Sequence, residues 1–285
     1  MPKCAQLIIG AAGSGKSTYC AQMVDHFQSL KRSVHVVNLD PAAEHFDYKP
    51  SIDIRELISL DDVMEELGFG PNGGLMYCIE YLLENLDWLE EELGDFQDDY
   101  LLFDCPGQIE LYSHIPLMKR LVDTLKDQLN YRVCCVYMID CHFAGDPSKL
   151  ISGGLACLSA MMLLECSHVN VVTKLDLLEK KERKKLIAQL NSYFDAAALL
   201  QQLSASTPPA FKKLNAAFAS LIEDYNLVSF VPLNFENPHL TNVLLQQIDN
   251  ALQYGDDVEP KMPSLESPLD VNDPQQSVAS SSSSQ

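Results

Sequence analysis

The segment GAAGSGKST, residues 10–18, contains the residue types and the spacing of a phosphate-binding loop. It matches the pattern G-x-x-x-x-G-K-[ST], follows the apolar run QLIIG at 6–10, and precedes a helix-like stretch, as that motif requires. Glycines let backbone N–H groups wrap a phosphate, and the helix N-terminus adds its positive end. Lys16 is expected to bridge the β- and γ-phosphates, and Ser17 to bind Mg²⁺. The residues predicted to bind the phosphates are Gly13, Ser14, Gly15, Lys16, Ser17 and Thr18.

Polar residues that follow two other apolar runs could complete a catalytic site around these phosphates. Asp104 ends the run YLLFD and begins Asp-Cys-Pro-Gly, a pattern in which the Asp reaches Mg²⁺ through water and the Gly N–H meets a γ-phosphate. Gln108 comes next and is placed to orient an attacking water. Asp40 follows the run VHVVNL and could position that water or support the metal, although a strand-end cap before Pro41 is an alternative. We therefore predict Lys16, Asp40 and Gln108 as catalytic residues and Ser17 and Asp104 as metal ligands.

The tetrapeptide Thr-Lys-Leu-Asp at 173–176 indicates which base the site binds. The Asp176 carboxylate can accept two hydrogen bonds, from guanine N1–H and N2–H₂, a pair of donors that adenine lacks. The aliphatic part of Lys174 can cover the base plane. The motif is weak evidence alone, but downstream of a phosphate-binding loop it indicates a guanine nucleotide. We predict GTP or GDP as the bound nucleotide, with Mg²⁺, and base contacts from Thr173, Lys174, Leu175 and Asp176.

Six short apolar runs are predicted to be strands, and helical or mixed segments separate them. Near-continuous Val, Ile and Leu without alternation suits strands that are covered on both faces, as in a parallel sheet. Alternation of such strands with helices predicts an α/β P-loop NTPase fold with a doubly wound, mostly parallel sheet. Ligands bind at the carboxyl ends of the strands in such folds, where the polar residues above lie. The predicted strands are 6–10, 34–40, 100–104, 132–140, 169–176 and 227–234.

A long acidic segment, about 51–98, lies between the second and third predicted strands and is expected to be a helical insertion. Two stretches in it have apolar residues at i, i+3 and i+4, as amphipathic helices do. The sequence FGPNGG, 69–74, separates them. Local rules favour an ordinary turn there, because Gly and Pro supply turn geometry. The alternative is a functional loop of Gly70, Pro71 and Asn72 whose backbone closely approaches a ligand.

Composition argues against several classes of partner. The chain has 285 residues, a formal net charge of −20 and a pI near 4.5. An acidic surface repels nucleic acid and anionic membranes, so we expect no direct nucleic-acid or membrane partner. Nine cysteines occur without CxxC spacing, which argues against a zinc site and suits a reducing compartment. The basic run KKERKK, 180–185, is interpreted as a solvated helix face rather than a nucleic-acid or import signal.

One globular domain and one tail account for the chain. Residues 1–255 are predicted to form the P-loop domain, while 256–285 are acidic, rich in Pro and Ser and poor in aromatic residues. Such a composition cannot bury enough apolar surface to offset chain entropy, so the tail is predicted to be disordered. The apolar stretch 150–164 is shorter than the roughly 20 residues of a membrane span and is predicted to be a buried helix. The N-terminus does not resemble a signal peptide, so we expect a soluble, intracellular protein.

These motifs occur together in an order that resembles the GPN-loop GTPases, a family of dimeric P-loop GTPases. The resemblance covers about residues 4–255 and rests on GSGKST, NLDPAAE, FGPNGGL, FDCPGQIELY and TKLD. Gly70, Pro71 and Asn72 form the signature after which the family is named. DPAAEHFDY and DIRELISLDDVME are most similar to the third eukaryotic paralogue, and LIEDYNLVSFVPLN is also similar to the second.

The resemblance implies how the site would work. Members of the family pair through their nucleotide faces, so Asn72 would reach the phosphates bound by the partner subunit. It also implies that Asp40 and Gln108 handle the attacking water and that Asp104 and Ser17 hold magnesium. The implied partner is a paralogous GPN-loop GTPase in a heterodimer, or a second copy in a homodimer, and RNA polymerase II subunits are the implied client of assembly and nuclear import. The family is mainly cytoplasmic, which implies a cytoplasmic protein, with shuttling to the nucleus left open.

Two functions of different classes remain. In the first, hydrolysis of GTP reshapes a dimer and makes the protein a switch or an assembly chaperone. In the second, the chain holds nucleotide as a binding subunit while a partner paralogue carries out the productive hydrolysis. The presence of all the predicted hydrolytic residues favours the first. A phosphotransferase is a distant third, because few arginines are available for a lid over a transferred phosphate.

Overall fold

Parallel strands form the sheet at the centre of the protein. The computed structural model describes residues 3–96, 99–144, 146–191, 208–224 and 229–255, and these contain seven strands in one sheet. The strands are β1 (Cys4–Gly10), β2 (Val34–Asn38), β3 (Ile52–Asp53), β4 (Tyr100–Asp104), β5 (Arg132–Asp140), β6 (Ser167–Thr173) and β7 (Phe230–Pro232). Their order is β3-β2-β4-β1-β5-β6-β7, and every neighbouring pair is parallel. The sheet therefore extends in both directions from β1, as the predicted α/β P-loop fold requires, and that prediction is confirmed.

Helices connect the strands and cover both faces of the sheet. They are α1 (Lys16–Ser29), α2 (Leu60–Leu67), α3 (Pro71–Glu84), α4 (Leu86–Leu93), α5 (Glu110–Ser113), α6 (Leu117–Asp123), α7 (Cys141–Ala144), α8 (Pro147–Leu164), α9 (Lys180–Asn191), α10 (Lys212–Asp224) and α11 (Pro238–Leu252). Local sequence explains where two of the long ones begin. Asp146 and Asn237 accept hydrogen bonds from the first-turn N–H groups of α8 and α11, and a proline follows each cap.

The alternation of side chains along β1 divides the core into two layers. Ile8 packs on one face with Phe27 of α1 and Ile248 of α11. Leu7 and Ile9 pack on the other face, in the cluster to which α3, α4, α6 and α8 contribute. Successive strand residues point to opposite faces, so a continuous apolar run such as QLIIG fills both layers at once. This packing fixes the strand ends that carry the polar residues.

The polar residues predicted to act on a nucleotide lie at one edge of the sheet. The carboxyl ends of β2, β4, β1, β5 and β6 are neighbours in that order. Gly10, Asp104 and Thr173 are the last residues of their strands, and Asp40 lies two residues beyond β2. Parallel strands bring their carboxyl ends to the same edge, which is where ligands bind in open α/β sheets.

The predicted strand list is wrong in number and in several bounds. A seventh strand, β3, pairs with the end of β2 and lies in the segment that we expected to be helical. Two residues are too few to produce a periodic pattern, so the sequence gives no sign of it. The strands β2 and β6 end at Asn38 and Thr173, earlier than predicted, and a short 3-10 helix at Leu175–Leu177 follows β6. Part of the predicted strand 227–234, and all of the predicted tail 256–285, lie outside the described residues.

Two helices separated by a non-helical stretch are confirmed, but that stretch covers only 68–70, and the second predicted helix is divided into α3 and α4. The described part of the insertion contains α2, α3 and α4, and Pro71 to Gly74 form the first turn of α3. Gly70 has an extended backbone and precedes Pro71, which suits the first position of a helix because its missing N–H would be unpaired there. The signature tripeptide is therefore the start of a helix.

The apolar stretch 150–164 forms most of α8, and its residues Ile151, Cys157 and Leu164 are buried, which confirms the predicted buried helix. Among the described residues, none of the helices combines the length and the apolar character that crossing a membrane requires.

Candidate nucleotide-binding site

The loop between β1 and α1 has the backbone of a phosphate-binding loop. Gly10, Gly13 and Gly15 have positive φ values of 143°, 72° and 94°, which other residues rarely adopt. A Cβ at Gly10 would also lie 2.5 Å from the Met138 carbonyl oxygen on β5. The chain then enters α1, whose first turn supplies N–H groups without partners inside the helix. Such a helix start attracts anions.

Lys16 lies over this loop and is only 7% exposed. Its Nζ donates to the carbonyl oxygens of Gly10 and Ala11, each at 3.3 Å. These contacts are longer than the about 2.7–2.9 Å of strong charge-assisted hydrogen bonds, so the ammonium can exchange them for phosphate oxygens. Burial lowers the pKa of Lys16, and the nearby carboxylates of Asp104 and Asp40 oppose that change.

Asp104 provides a buried carboxylate at the end of β4. Its Oδ2 accepts a hydrogen bond from the Tyr48 hydroxyl at 2.8 Å, while its Oδ1 is buried and has no hydrogen-bond partner among the described residues. Burial raises the pKa of Asp104, and the Ser17 and Tyr48 hydroxyls oppose that rise. A buried carboxylate oxygen with no donor, beside a serine hydroxyl, offers the hard oxygen ligands that Mg²⁺ prefers. The residues present therefore fit a magnesium ion.

A network of side chains holds the loop that carries Asp40. Asn38 Nδ2 donates to Asp53 Oδ1 at 2.9 Å and to the Asp40 carbonyl at 3.1 Å, and Asn38 Oδ1 accepts from the Asp40 N–H at 3.0 Å. The Arg55 guanidinium pairs with Asp53 and donates to the Ala43 carbonyl at 2.7 Å. These bonds fix both ends of the segment from Asn38 to Ala43. Burial raises the pKa of Asp40, which makes its carboxylate a better proton acceptor.

The segment after β4 approaches the phosphate-binding loop closely. A Cβ at Gly107 would lie 2.8 Å from Ala12 Cα, so only glycine allows the two backbones to pass at this distance. The Tyr112 hydroxyl donates to the Pro106 carbonyl and ties this segment to α5. Gln108 follows at once, and its Nε2 donates to Asn72 Oδ1 at 2.9 Å. The start of α3 and the segment after β4 therefore meet within one chain.

The Thr-Lys-Leu-Asp segment begins at Thr173, the last residue of β6. Thr173 is buried, and its Oγ1 donates to the Ser14 carbonyl at 2.7 Å, with Ile139 O at 3.2 Å. Its hydroxyl thus ties the phosphate-binding loop to the strand that precedes the residues predicted to read the base. The structure adds this supporting contact to Thr173, and its predicted contact with the base stays a prediction.

Lys174 and Asp176 are more exposed to solvent than Thr173 and Leu175, which are buried. Lys174 has a positive φ of 59°, and its Nζ pairs with Asp140 Oδ2 at 2.9 Å. Burial alone would raise the pKa of Asp140, but hydrogen bonds from His142 and Lys174 lower it to about 2. Leu175 is buried beneath the turn, whereas Asp176 is exposed. The arrangement leaves the Asp176 carboxylate available to a ligand from solvent.

Comparisons with known proteins agree with this geometry. The family profile described as "Conserved hypothetical ATP binding protein" matches residues 8–254. A relative named GPN-loop GTPase 3 from Dictyostelium discoideum is 53% identical over 266 residues, covering 93% of each chain. Another of that name from Danio rerio is 53% identical over 266 residues, covering 92% of each chain. The chain belongs to the GPN-loop GTPase family.

A solved structure shares the fold of this GPN-loop GTPase. A GTPase from Pyrococcus abyssi in its apo form superposes with a TM-score of 0.72, covering 87% of this chain and 98% of that chain at 23% identity. The likeness supports the sheet order and the layers described above. The family resemblance seen in the sequence motifs is confirmed, and the relatives carry the name of the third paralogue.

The structure of this GPN-loop GTPase brings the predicted residues to one edge of the sheet. Gly107, the residue before Gln108, lies against Ala12 of the phosphate-binding loop, and the charges of Asp104 and Asp40 are close enough to oppose the lowering of the pKa of Lys16 by burial. Sequence reasoning missed residues that hold these groups in place, and for some of them, such as Tyr48, the bonded partner lies far away in the sequence. The missed residues are Asn38, Tyr48, Asp53, Arg55, Asp140 and His142.

Proposed function

We propose that this GPN-loop GTPase binds and hydrolyses GTP with Mg²⁺ and that the hydrolysis cycle drives a dimeric switch. The observation that carries the proposal is the 2.9 Å hydrogen bond from Gln108 Nε2 to Asn72 Oδ1. It joins the tripeptide that names the family to the glutamine that follows the Asp-Cys-Pro-Gly segment beside the phosphate-binding loop. A change at the phosphates can therefore reach Asn72 through a single side-chain contact.

The chain's own residues account for the hydrolytic step. In the proposed reaction, a water oxygen attacks the γ-phosphorus, the bond to the β–γ bridging oxygen breaks, and GDP and phosphate leave. The Gln108 amide orients the water, and the Asp40 carboxylate, whose pKa burial raises, accepts a hydrogen bond from it. The Lys16 ammonium stabilises charge that develops on the phosphate oxygens. Ser17 and Asp104 would hold Mg²⁺, which neutralises charge on the β- and γ-phosphates.

The base site favours guanine over adenine. The family profile's description names ATP, whereas the relatives are named GTPases. The exposed carboxylate of Asp176 supports guanine, because it can accept from N1–H and N2–H₂ together and would face the unprotonated N1 of adenine. The aliphatic part of Lys174, which Asp140 anchors at 2.9 Å, is placed to cover the base plane. The substrate is therefore proposed to be GTP.

The surface around Asn72 supports pairing with a second subunit. Asn72 is exposed, and the neighbouring side chains of Phe69 and Ile109 are each 44% exposed, although both are large and apolar. Exposed apolar side chains beside a functional contact mark an interaction site more often than isolated ones do. In the proposed cycle, Asn72 leaves Gln108 of its own chain and engages the nucleotide site of the partner. That exchange makes the state of one phosphate site depend on the other subunit.

The client is proposed to be RNA polymerase II subunits, which the protein would help to assemble and to import into the nucleus from the cytoplasm. The proposal comes from the resemblance to the eukaryotic family. The net charge of −20 supports a link to transcription through proteins rather than through direct contact with DNA or RNA. Capture of polymerase subunits by the tagged full-length chain, with a comparison of GTP-bound and GDP-bound states, would test it.

A mixing experiment tests the switch most sharply. Lys16→Ala removes a residue of the phosphate site but keeps Asn72, whereas Asn72→Ala keeps the phosphate site and lacks the asparagine. If Asn72 acts across the dimer, each variant alone is slow in single-turnover GTP hydrolysis, and the mixture recovers activity as dimers exchange. Sedimentation of both variants confirms that they associate. A mixture that remains as slow as Asn72→Ala alone would show that Asn72 acts only within its own chain.

The same assay separates the alternative function, a binding subunit whose partner paralogue carries out the hydrolysis. In that case the wild-type chain holds GTP without turnover, and hydrolysis follows the partner's site when the two are mixed. Turnover by the wild-type chain alone, lost in Lys16→Ala, would favour the switch.

A further inference from the structure

One residue of the basic run at 180–185 differs from the rest. The four lysines at 180, 181, 184 and 185 are exposed, as expected of a solvated helix face. The Arg183 side chain is only 21% exposed, and its backbone N–H donates to the Glu179 carbonyl in the first turn of α9. Its guanidinium therefore points into the protein rather than along the lysine face. The interpretation of the run as a solvated face is wrong for this residue.

The Arg183 guanidinium lies against the segment that is proposed to read the base. Its Nη2 donates to the Asp176 carbonyl at 3.0 Å and lies 3.5 Å from the Leu178 carbonyl. Its Nη1 pairs with Glu236 at 3.3 Å, in the loop after β7. The Glu236 side chain is 70% exposed, so this ion pair contributes little to stability by itself. The hydrogen bond to the Asp176 carbonyl is the contact that can affect the position of the Asp176 side chain.

The loop after β7 is itself fixed next to this segment. The Leu233 N–H donates to the Val172 carbonyl on β6 at 2.9 Å, and Asn234 Oδ1 accepts from the Glu236 N–H at 3.0 Å. Asn234 is buried. Arg183 thus spans two loops that β6 and β7 place side by side. A planar guanidinium can donate in two directions at once, which a lysine ammonium on a flexible stem does less rigidly.

We propose that Arg183 is a positioning residue for guanine recognition, because it holds the backbone of Asp176 so that the carboxylate faces the base edge. The inference rests on the proposed function, since it assigns Asp176 to guanine. Arg183 touches no nucleotide in this account. A carboxylate that accepts two hydrogen bonds from a planar base needs a fixed orientation, and the rest of the turn is short. Its main internal backbone bonds are Leu177 N–H to Lys174 O at 3.1 Å and Leu178 N–H to Leu175 O at 3.3 Å.

A double-mutant cycle on the full chain tests this role with GDP as the probe. We expect Arg183→Ala to raise the dissociation constant for GDP about tenfold, as expected for loss of one charge-assisted bond. In the Asp176→Ala background the same substitution should change the GDP constant less than about twofold, because no carboxylate remains to be positioned. Arg183→Lys should recover part of the lost GDP affinity. For Arg183→Ala, the single-turnover rate of hydrolysis at saturating GTP should stay within about twofold of wild type.

Lys184→Ala is the matched control, since it removes a positive charge from the next residue, whose side chain is exposed. It should leave GDP affinity unchanged. An equal loss from Arg183→Ala with and without Asp176, or no loss at all while Asp176→Ala weakens binding, would overturn the positioning role. Wild-type protein that binds ADP as tightly as GDP would overturn the guanine assignment itself, so the two failures are distinguishable. If Arg183→Ala lowers the thermal midpoint by several degrees, Arg183→Lys supplies the same cycle in a folded protein.

Discussion

The close approach of Gly107 to Ala12 allows a sharp prediction. Gly107→Ala would place a Cβ 2.8 Å from Ala12 Cα and 3.0 Å from Ala12 Cβ. Carbon atoms make optimal contact at roughly 3.5–4.0 Å, so one backbone must move by about 1 Å. Gly107 does not have a positive φ, so the substitution brings a steric clash without backbone strain. The phosphate-binding loop packs closely against the Met138 backbone at Gly10, so it has little room to move. We therefore expect the segment 107–108 to move instead.

A shift of that size at Gln108, the glutamine proposed to orient the attacking water, determines the expected effect on the rate. A misplacement of about 1 Å can cost about 10²-fold in rate, and we expect single-turnover GTP hydrolysis by Gly107→Ala to fall by about that factor. The GDP dissociation constant should change less than about threefold, because the loop that holds the α- and β-phosphates stays in place. Rapid-quench measurement of GTP hydrolysis, with fluorescence titration of GDP, gives both quantities.

Gly94→Ala is the matched control, because a Cβ there meets nothing within 4 Å. It should leave both quantities at the wild-type values. If Gly107→Ala weakens GDP binding as much as it slows hydrolysis, the phosphate-binding loop has moved instead. If it changes neither, the steric argument is refuted.

Two further predictions concern stability. Tyr48→Phe removes the donor to Asp104 Oδ2 and should lower the free energy of unfolding of the nucleotide-free protein by about 1.5–3 kcal/mol. Urea unfolding checks this, and an unchanged midpoint and slope would contradict it. Burial lowers the pKa of His168 to about 4, and the nearby Asn170 side chain opposes that change. The folded-state pKa is below the unfolded value of about 6.5, so protonation of His168 favours the unfolded state. The free energy of unfolding is therefore highest above pH 6.5 and decreases as the pH falls towards 4, by about 2 kcal/mol between pH 7 and 5. His168→Leu should remove that part of the pH dependence, and an identical slope in both proteins would show that His168 does not titrate in this way.

The sequence predicts the phosphate-binding loop and the position of Asp104 at the end of a strand, because each is encoded locally. Gly10, Gly13 and Gly15 need backbone conformations that glycine adopts most readily, so their spacing carries structural information. The apolar runs predict the strands for a similar reason, since both faces of a parallel sheet are buried.

The groups that hold the site in place could not be predicted in the same way. Arg183 and Asp176 are close in sequence, yet the basic composition around Arg183 indicates only a solvated helix. The pairing of Tyr48 with Asp104 joins residues 56 positions apart, and no pattern in either segment signals it. The contact between Asn72 and Gln108 joins positions 36 residues apart and depends on how α3 packs beside the segment after β4.

The most direct test of the account is the single-turnover rate of GTP hydrolysis by Gln108→Ala, with GTP affinity measured on the same protein. We expect the rate to fall by about 10²-fold or more, because the attacking water loses the amide that orients it, while GTP affinity stays within about threefold of wild type. Gln28→Ala, at an exposed position on α1, serves as the control and should hydrolyse GTP at the wild-type rate. An unchanged rate for Gln108→Ala at saturating GTP would contradict the assignment of the catalytic site.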